Sequence, residues 1–455
     1  MAKQTDFTEG KIVSPLLKFI FPVVGALFLQ AMYGAVDLLV VGQFAETADV
    51  SAVATGSQIM MTLSFLVIAL AMGTTIYMGH MIGEGKGDRA GNIIGASICL
   101  FAVAGAVLTV VIPLFSVQLA QVMGAPKEAF DLTVVYLRTC GFGALAIVAY
   151  NLIGAIFRGI GDSKTPLMTV AIACVFNIAG DLILVAVFHM GTLGAALATV
   201  GAQLISVVIS LLLLKKQGLP FAFSKSMLRF DRTIIKRILR LGAPIALQDF
   251  LVGLCFLIIL AIVNNIGLIA SSSVGVAEKV CGFIMLIPSA FMQSMSAFVA
   301  QNIGARKYDR AKKMLLYAII ISSIAGVIMF YISFFHGELL AGIFTNDPEV
   351  VGGAAQYLKA YGIDCLVTCL SFCFIGFYNG LGFTTFVMVQ GTACALLVRV
   401  PAAFIFSRLE PVSLFMIGLG IPISTVAGII MSLVWLRKAD RTFGKLQKTD
   451  HSKEL

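Results

Sequence analysis

Charged residues are scarce in this chain of 455 residues. Asp, Glu, Lys and Arg make up 12% of it and hydrophobic residues 59%, and the mean hydropathy is +0.99. Because a soluble domain carries about 25% charged residues, this shortage excludes a water-soluble globular protein. The class that fits is an all-α polytopic membrane protein.

The sequence also lacks the motifs of several functional classes. No G-x-x-x-x-G-K-[ST] stretch is present to hold a nucleotide phosphate, and RGIGDSK at 158–164 follows an apolar span rather than a β-strand. None of the four His residues falls in the middle of a span, so no catalytic His pair is expected inside the membrane. We therefore expect neither an enzyme nor a cofactor, and any pumping must be driven by an ion gradient.

What the chain contains instead is a series of long apolar blocks. Their length of about 20 to 28 residues suffices to cross a hydrocarbon core of ~30 Å. Twelve transmembrane helices are predicted, at 14–41, 51–78, 90–113, 129–156, 166–189, 192–214, 236–264, 273–299, 311–335, 350–377, 384–406 and 412–436.

The net charge of +9 is concentrated in alternate loops. Lys and Arg cluster in three segments, 215–240, 302–313 and the tail from Arg437, and are missing from the connections 42–50, 264–272 and 336–349. This distribution follows the positive-inside rule. It predicts a multi-pass protein of the cell (cytoplasmic) membrane with both termini in the cytoplasm, and it does not indicate a nucleic-acid partner.

The second half of the sequence repeats the first at an offset of 221 to 222 residues. GHMIGEGKGDRA at 79–90 matches AQNIGARKYDRA at 300–311, and YLRTCG at 136–141 matches YLKAYG at 357–362. Six spans are an even number, so both copies start from the same membrane face and are parallel repeats, as in many transporters. The predicted division is an N-terminal lobe at 1–214, a cytoplasmic linker at 215–235, a C-terminal lobe at 236–436 and a tail at 437–455.

Acidic residues inside the first lobe are the main functional signal. A carboxylate within the bilayer costs ~2.5–3.5 kcal/mol on insertion scales, yet Asp37 and Asp181 both lie inside predicted spans. Asn177 lies one helical turn before Asp181 on the same face, and Thr199 adds a hydroxyl. We predict an ion-coupling pocket whose oxygen atoms suit Na⁺ or whose carboxylates share H⁺. The alternative is a buried, hydrogen-bonded staple.

Other charged residues within spans belong to the second half. Asp249 and Asp364 are candidates for attracting a cationic substrate, or else structural. Glu278 and Lys279 are adjacent and can neutralise each other or nearby groups. Arg399 is interpreted first as a structural partner for a carboxylate of its own lobe.

Taken together, these features resemble the MATE (multidrug and toxic compound extrusion) family. The resemblance rests on the twelve spans in two copies, the RGIGD turn after span 4 and the polar residues of span 1, namely Pro22, Gln30, Tyr33 and Asp37. The N-x-x-x-D pattern of span 5 followed by Thr199 is similar to the DinF-like branch.

The resemblance implies a V-shaped, two-lobed transporter. It would export cationic or amphiphilic small organic compounds by Na⁺ or H⁺ antiport with alternating access. The resemblance also implies roles for individual residues. The ion-coupling residues would be Asp37, Asn177, Asp181 and Thr199, and the substrate-binding residues would include Gln30, Tyr33 and Asn151. No metal site is expected beyond possible Na⁺ at the ion-coupling residues.

Pro22 precedes the polar face of span 1 and removes one helical hydrogen bond. It is interpreted as a hinge controlled by the charge on Asp37, with a static kink as the alternative. An alternative for the whole protein is a lipid-linked oligosaccharide or lipid-precursor flippase of the same superfamily, in which extra spans and a more cationic cavity are expected. Apart from substrate and membrane lipid no partner is predicted, and a monomer suffices.

Overall fold

The structure is a computed structural model that describes residues 7–217, 221 and 223–451, without the side chains at 33, 217 and 443–451. Within this part of the chain every regular element is helical, which confirms the all-α prediction. The α-helices are α1 (Val13–Phe44), α2 (Thr47–Gly83), α3 (Gly87–Leu114), α4 (Ser116–Val122), α5 (Phe130–Phe142), α6 (Ala144–Gly159), α7 (Lys164–Asp181), α8 (Gly191–Gln217), α9 (Arg232–Asn264), α10 (Leu268–Ile284), α11 (Leu286–Gly304), α12 (Tyr308–Phe335), α13 (Gly337–Gly342), α14 (Pro348–Leu381), α15 (Thr384–Ala393), α16 (Val400–Phe406), α17 (Leu414–Gly418) and α18 (Gly420–His451).

Among the described residues, eleven helical segments are long and apolar enough to cross a membrane. A twelfth is the pair Lys127–Phe142 and Ala144–Gly159, which is bent by 55°. Gly143 lies at the bend, where any added side chain would collide with Val200. Counting the bent pair as one span gives the predicted twelve.

By their packing, the described residues fall into two compact units. The first unit contains Leu17–Ala246, and the second contains Phe7–Leu16 together with the described chain from Leu247 onward. The division between the units falls inside α9, and the lobe and linker bounds drawn from the sequence remain a prediction.

Each unit is organised around one long, largely buried helix. In the first unit α2 packs against α3, α5 and α6, and in the second α14 packs against α10, α11, α12 and α18. Small residues allow the close approaches: Gly326 of α12 faces the backbone carbonyl of Cys365 in α14, where a methyl group would not fit. Packing through glycine is typical of helices within membranes.

The internal repeat is visible in the backbone. Gly85 and Arg306, which lie 221 positions apart, both adopt positive φ angles, of 69° and 57°. Gly161 and Gly382 have the same separation and φ angles of 85° and 86°. The two units therefore share their turn geometry, as the sequence repeat predicts.

The fifth span of each unit contains a π-helical segment. Leu182–Val187 follows directly after Asp181, and Cys394–Arg399 of the second unit ends at Arg399. Such wider turns are rare and often lie at functional sites. The sequence pattern did not predict them.

The segment before α1 forms a strap on the second unit. Phe7 is fully buried, and its ring stacks on that of Phe298 at a centroid distance of 4.7 Å. The Phe7 carbonyl accepts hydrogen bonds from Asn302 Nδ2 at 3.1 Å and from Arg310 Nε at 3.0 Å. The remaining guanidinium nitrogens of Arg310 donate to the carbonyls of Gly10 and Glu9, each at 2.8 Å.

Candidate functional site

Asp37 anchors a polar cluster inside the first unit. It projects from α1 and is 3% exposed. Thr199 of α8 donates a hydrogen bond from its Oγ1 to Asp37 Oδ2 at 3.1 Å. The second carboxylate oxygen, Oδ1, is buried and has no hydrogen-bond partner among the described residues.

Helix α7 brings the second carboxylate to the cluster. Asn177 and Asp181 are 1% and 0% exposed, and both side chains lie close enough to the Asp37 carboxyl to interact with it electrostatically. Helices α7 and α8 approach closely because Gly180 faces Ala198. The structure thus brings together all four residues that the sequence suggested for ion coupling.

Five polar atoms of the cluster lack a hydrogen-bond partner among the described residues. In the described part of the chain, both side-chain polar atoms of Asn177, both carboxylate oxygens of Asp181 and Oδ1 of Asp37 are buried without a hydrogen-bond partner. No described Lys, Arg or His forms an ion pair with either acid. Two carboxylates about 4 Å apart would repel each other by roughly 4 kcal/mol at an effective dielectric constant of about 20. A proton or a bound cation would relieve such repulsion.

Tyr136 of α5 is a neighbour of this cluster that sequence reasoning missed. Its buried side chain lies within interaction range of Thr199 and Asp37. The ring fits because Gly56 of α2 has no side chain at the point of contact. The sequence repeat contained a signal, because Tyr136 aligns with Tyr357. In the structure Tyr357 also contacts an acid, Glu278.

The candidate substrate residues of the first unit are distributed along α1 and α6. Gln30 Nε2 lies 3.5 Å from the hydroxyl of Tyr150. Asn151 is buried and donates its Nδ2 to a carbonyl of its own helix at 2.9 Å. The side chain of Tyr33 lies outside the described part of the chain. Helix α1 continues through Pro22 from Val13 to Phe44.

The second unit has a charged cluster of its own. Tyr357 donates to Glu278 Oε1 at 3.2 Å, and Arg399 lies within electrostatic range of both Glu278 and Asp364. Asp364 is 1% exposed, whereas Asp249 of α9 is exposed. This cluster therefore differs from the one in the first unit, because here an arginine accompanies the acids.

Comparisons with known proteins agree with this architecture. The MatE family model matches residues 22–183 and 244–405, which correspond to the two sequence repeats. The chain is similar to the "Probable multidrug resistance protein YoeA" of Bacillus subtilis (strain 168), with 24% identity over 441 residues, covering 92% of this chain and 93% of that protein. It is also similar to the "Multidrug export protein MepA" of Staphylococcus saprophyticus, with 24% identity over 460 residues and 97% of each chain covered.

A solved structure of a MATE protein in complex with MaL6 has the same fold. It superposes with a TM-score of 0.91 at 21% identity, covering 98% of this chain and 100% of that chain. Since the MatE model covers well over half of the sequence, this chain belongs to the MatE family. It is a multi-pass membrane transporter and not an enzyme.

Proposed function

We propose that this protein exports cationic or amphiphilic small organic compounds, in exchange for H⁺ or Na⁺ bound at Asp37 and Asp181. The observation that carries the proposal is the pair of buried carboxylates with no positive partner among the described residues. The names of the relatives, a probable multidrug resistance protein and a multidrug export protein, support the export of small organic compounds. Such relatives are transporters, and a buried acid that binds and releases a cation is what ion coupling requires.

Each residue of the cluster has a defined part in this proposal. Asp37 and Asp181 carry the negative charge that a proton or Na⁺ neutralises. Asn177 supplies an uncommitted amide oxygen as a further ligand, and Thr199 orients the Asp37 carboxyl through its hydrogen bond. When the ion leaves, repulsion between the two carboxylates favours a different arrangement of the helices that hold them.

Helix α1 is the element through which ion occupancy would act. Asp37 and Pro22 lie on this one helix, and a proline inside a helix removes a backbone hydrogen bond and permits bending. We propose that loss of the ion from Asp37 favours a bent α1 and that binding favours a straight one. The alternating access needed for antiport would follow from these two states.

The protein is proposed to lie in the cell membrane with both termini in the cytoplasm. The Lys and Arg residues of alternate loops support this orientation through the positive-inside rule. A monomer contains both copies of the repeat and is sufficient for the proposed activity.

Transport by purified protein in liposomes tests the proposal. Export of a fluorescent cationic dye is measured under a pH gradient and, separately, under a Na⁺ gradient, for the wild type and for Asp37→Asn and Asp181→Asn. The wild type should respond to one gradient and both variants should lose that response. Asp88→Asn removes an exposed acid at the start of α3 and should transport like the wild type. Unchanged gradient-driven transport in both cluster variants would refute the proposal.

A further inference from the structure

Arg158 is a cation of the first unit that has no ion-pair partner among the described residues. It lies in the last turn of α6, and its Nε is buried without a described hydrogen-bond partner. Arg138 of the same unit, by contrast, donates its Nε to Ser116 Oγ at 3.1 Å. Because arginine does not lose its proton in proteins, this side chain keeps its positive charge although its Nε has no acceptor in the described chain. A group outside the described chain can supply that acceptor.

The guanidinium group is directed back along its own helix. One of its terminal nitrogens lies 3.3 Å from the point where a Cβ on Gly154 would be, so the group packs close against this glycine. Tyr150 lies one further turn back and within electrostatic range of Arg158. Positions 150, 154 and 158 are spaced i, i+4, i+8 and share one face of α6.

This row of donors continues onto α1. The Tyr150 hydroxyl lies 3.5 Å from Gln30 Nε2, so a hydroxyl, an amide and a guanidinium follow one another along the α1–α6 side of the first unit. Hydrogen-bond donors together with one fixed positive charge are the groups that recognise a carboxylate or a phosphate.

The internal repeat argues against a purely structural role for the charge. The equivalent position in the second unit is Asn379, which is 1% exposed and has both side-chain polar atoms buried without a described partner. The helix end and its following turn are thus built equally well without a cation. Arg158 also makes no hydrogen bond to the carbonyls that end α6, which is the usual structural use of a basic residue there.

We propose that Arg158 binds an oxyanion, a carboxylate or a phosphate, carried either by the transported molecule or by a lipid headgroup. In the first case, the inference rests on the proposed function and narrows its substrates to amphiphiles that carry an anionic group beside their cationic one. The amide of Gln30, which has two N–H groups, offers a further donor to the same oxyanion.

Equilibrium binding to purified protein tests the inference without depending on transport. The probes are a fluorescent xanthene dye with a free carboxylate and the methyl ester of the same dye, measured by fluorescence anisotropy. The proteins are the wild type, Arg158→Gln, Arg158→Lys and, as a control, Arg89→Gln, which alters an exposed arginine of the same unit. A second arm measures thermal stability in nanodiscs of phosphatidylcholine with and without phosphatidylglycerol.

If the oxyanion belongs to the substrate, Arg158→Gln should weaken binding of the acid dye about tenfold, the effect of losing one charge-assisted hydrogen bond. Its affinity for the ester should not change, Arg158→Lys should retain part of the preference, and Arg89→Gln should match the wild type. If the oxyanion belongs to a lipid, phosphatidylglycerol should stabilise the wild type but not Arg158→Gln.

The inference is overturned if Arg158→Gln changes neither the preference for the acid dye nor the response to phosphatidylglycerol. Ester binding by each variant shows that it is folded. Gradient-driven transport of the ester by both the wild type and Arg158→Gln would leave the proposed function standing in that case. If the wild type shows no gradient-driven transport of the ester, the result would instead count against the proposed function alone.

Discussion

Replacing Asp181 by Asn should abolish ion-driven transport while leaving the protein at least as stable as before. The amide has nearly the same shape as the carboxyl but cannot bind or release a proton. Both oxygens of Asp181 are buried and lack a described hydrogen-bond partner. The charged carboxylate therefore makes an unfavourable contribution to the free energy of folding. The amide atoms of Asn remain without partners, but the substitution removes the negative charge and with it the repulsion from Asp37. We expect a net stabilisation of about 1–3 kcal/mol, the scale of the cost of one unfavourable buried polar group.

The magnitude can be measured by thermal unfolding of the detergent-purified protein. For a unit of 150–250 residues, about 1 kcal/mol corresponds to a shift of roughly 2–4 °C, so a stabilisation of several degrees is expected. The difference between wild type and variant should shrink as the pH is lowered, because protonation of the native Asp181 removes the same charge that the substitution removes.

The sign of this shift separates a functional site from a structural staple. A staple loses its favourable contacts on substitution, so Asp181→Asn would then unfold at a lower temperature and lose transport only because it is misfolded. A variant that is at least as stable as the wild type and has lost gradient-driven transport supports ion coupling. A destabilised variant that still responds to the gradient would refute the reasoning.

Three further changes test other contacts of the structure. Thr199→Val removes the hydroxyl that donates to Asp37. It should slow ion-driven transport about fivefold, the effect of one hydrogen bond of ~1 kcal/mol. An unchanged rate in the liposome assay would show that this bond is not needed. Phe7→Ala removes a fully buried ring and should lower the stability of the second unit by about 3–5 kcal/mol. This loss should be seen as a lower unfolding temperature. An unaltered melting curve would contradict a stabilising role for the strap. Arg310→Ala should also lower the unfolding temperature because it breaks hydrogen bonds to the strap. Arg89→Ala, at the equivalent but exposed position of the first unit, should leave the unfolding temperature unchanged. Equal effects of the two changes would count against a specific role for the strap.

Much of the fold follows directly from the sequence. Apolar blocks long enough to cross a bilayer determine the helices, because a backbone in lipid must satisfy its own hydrogen bonds. The repeat offset predicts which turns correspond, and Gly161 and Gly382 indeed share their backbone conformation. The i, i+4 spacing of Asn177 and Asp181 predicts that they share a face of α7, which is the face that meets Asp37.

Contacts between helices distant in sequence were harder to predict. Tyr136 approaches the cluster only because Gly56, eighty positions earlier, leaves room for its ring, and no periodicity within α5 reveals this. Phe7 lies in a polar segment that gives no sign of a buried aromatic residue. The turn motif that contains Arg158 does not reveal the direction of its side chain, which packs close to Gly154 of the preceding helical turn.

Infrared difference spectroscopy would test most directly whether Asp37 and Asp181 bind and release a cation. Spectra of the purified protein are compared before and after a pH step, and before and after addition of Na⁺, for the wild type, Asp37→Asn and Asp181→Asn. The account predicts a carboxyl band in the wild type that responds to pH or to Na⁺ and is lost or shifted in both variants. A wild-type spectrum without such a band, or the same band in all three proteins, would contradict it.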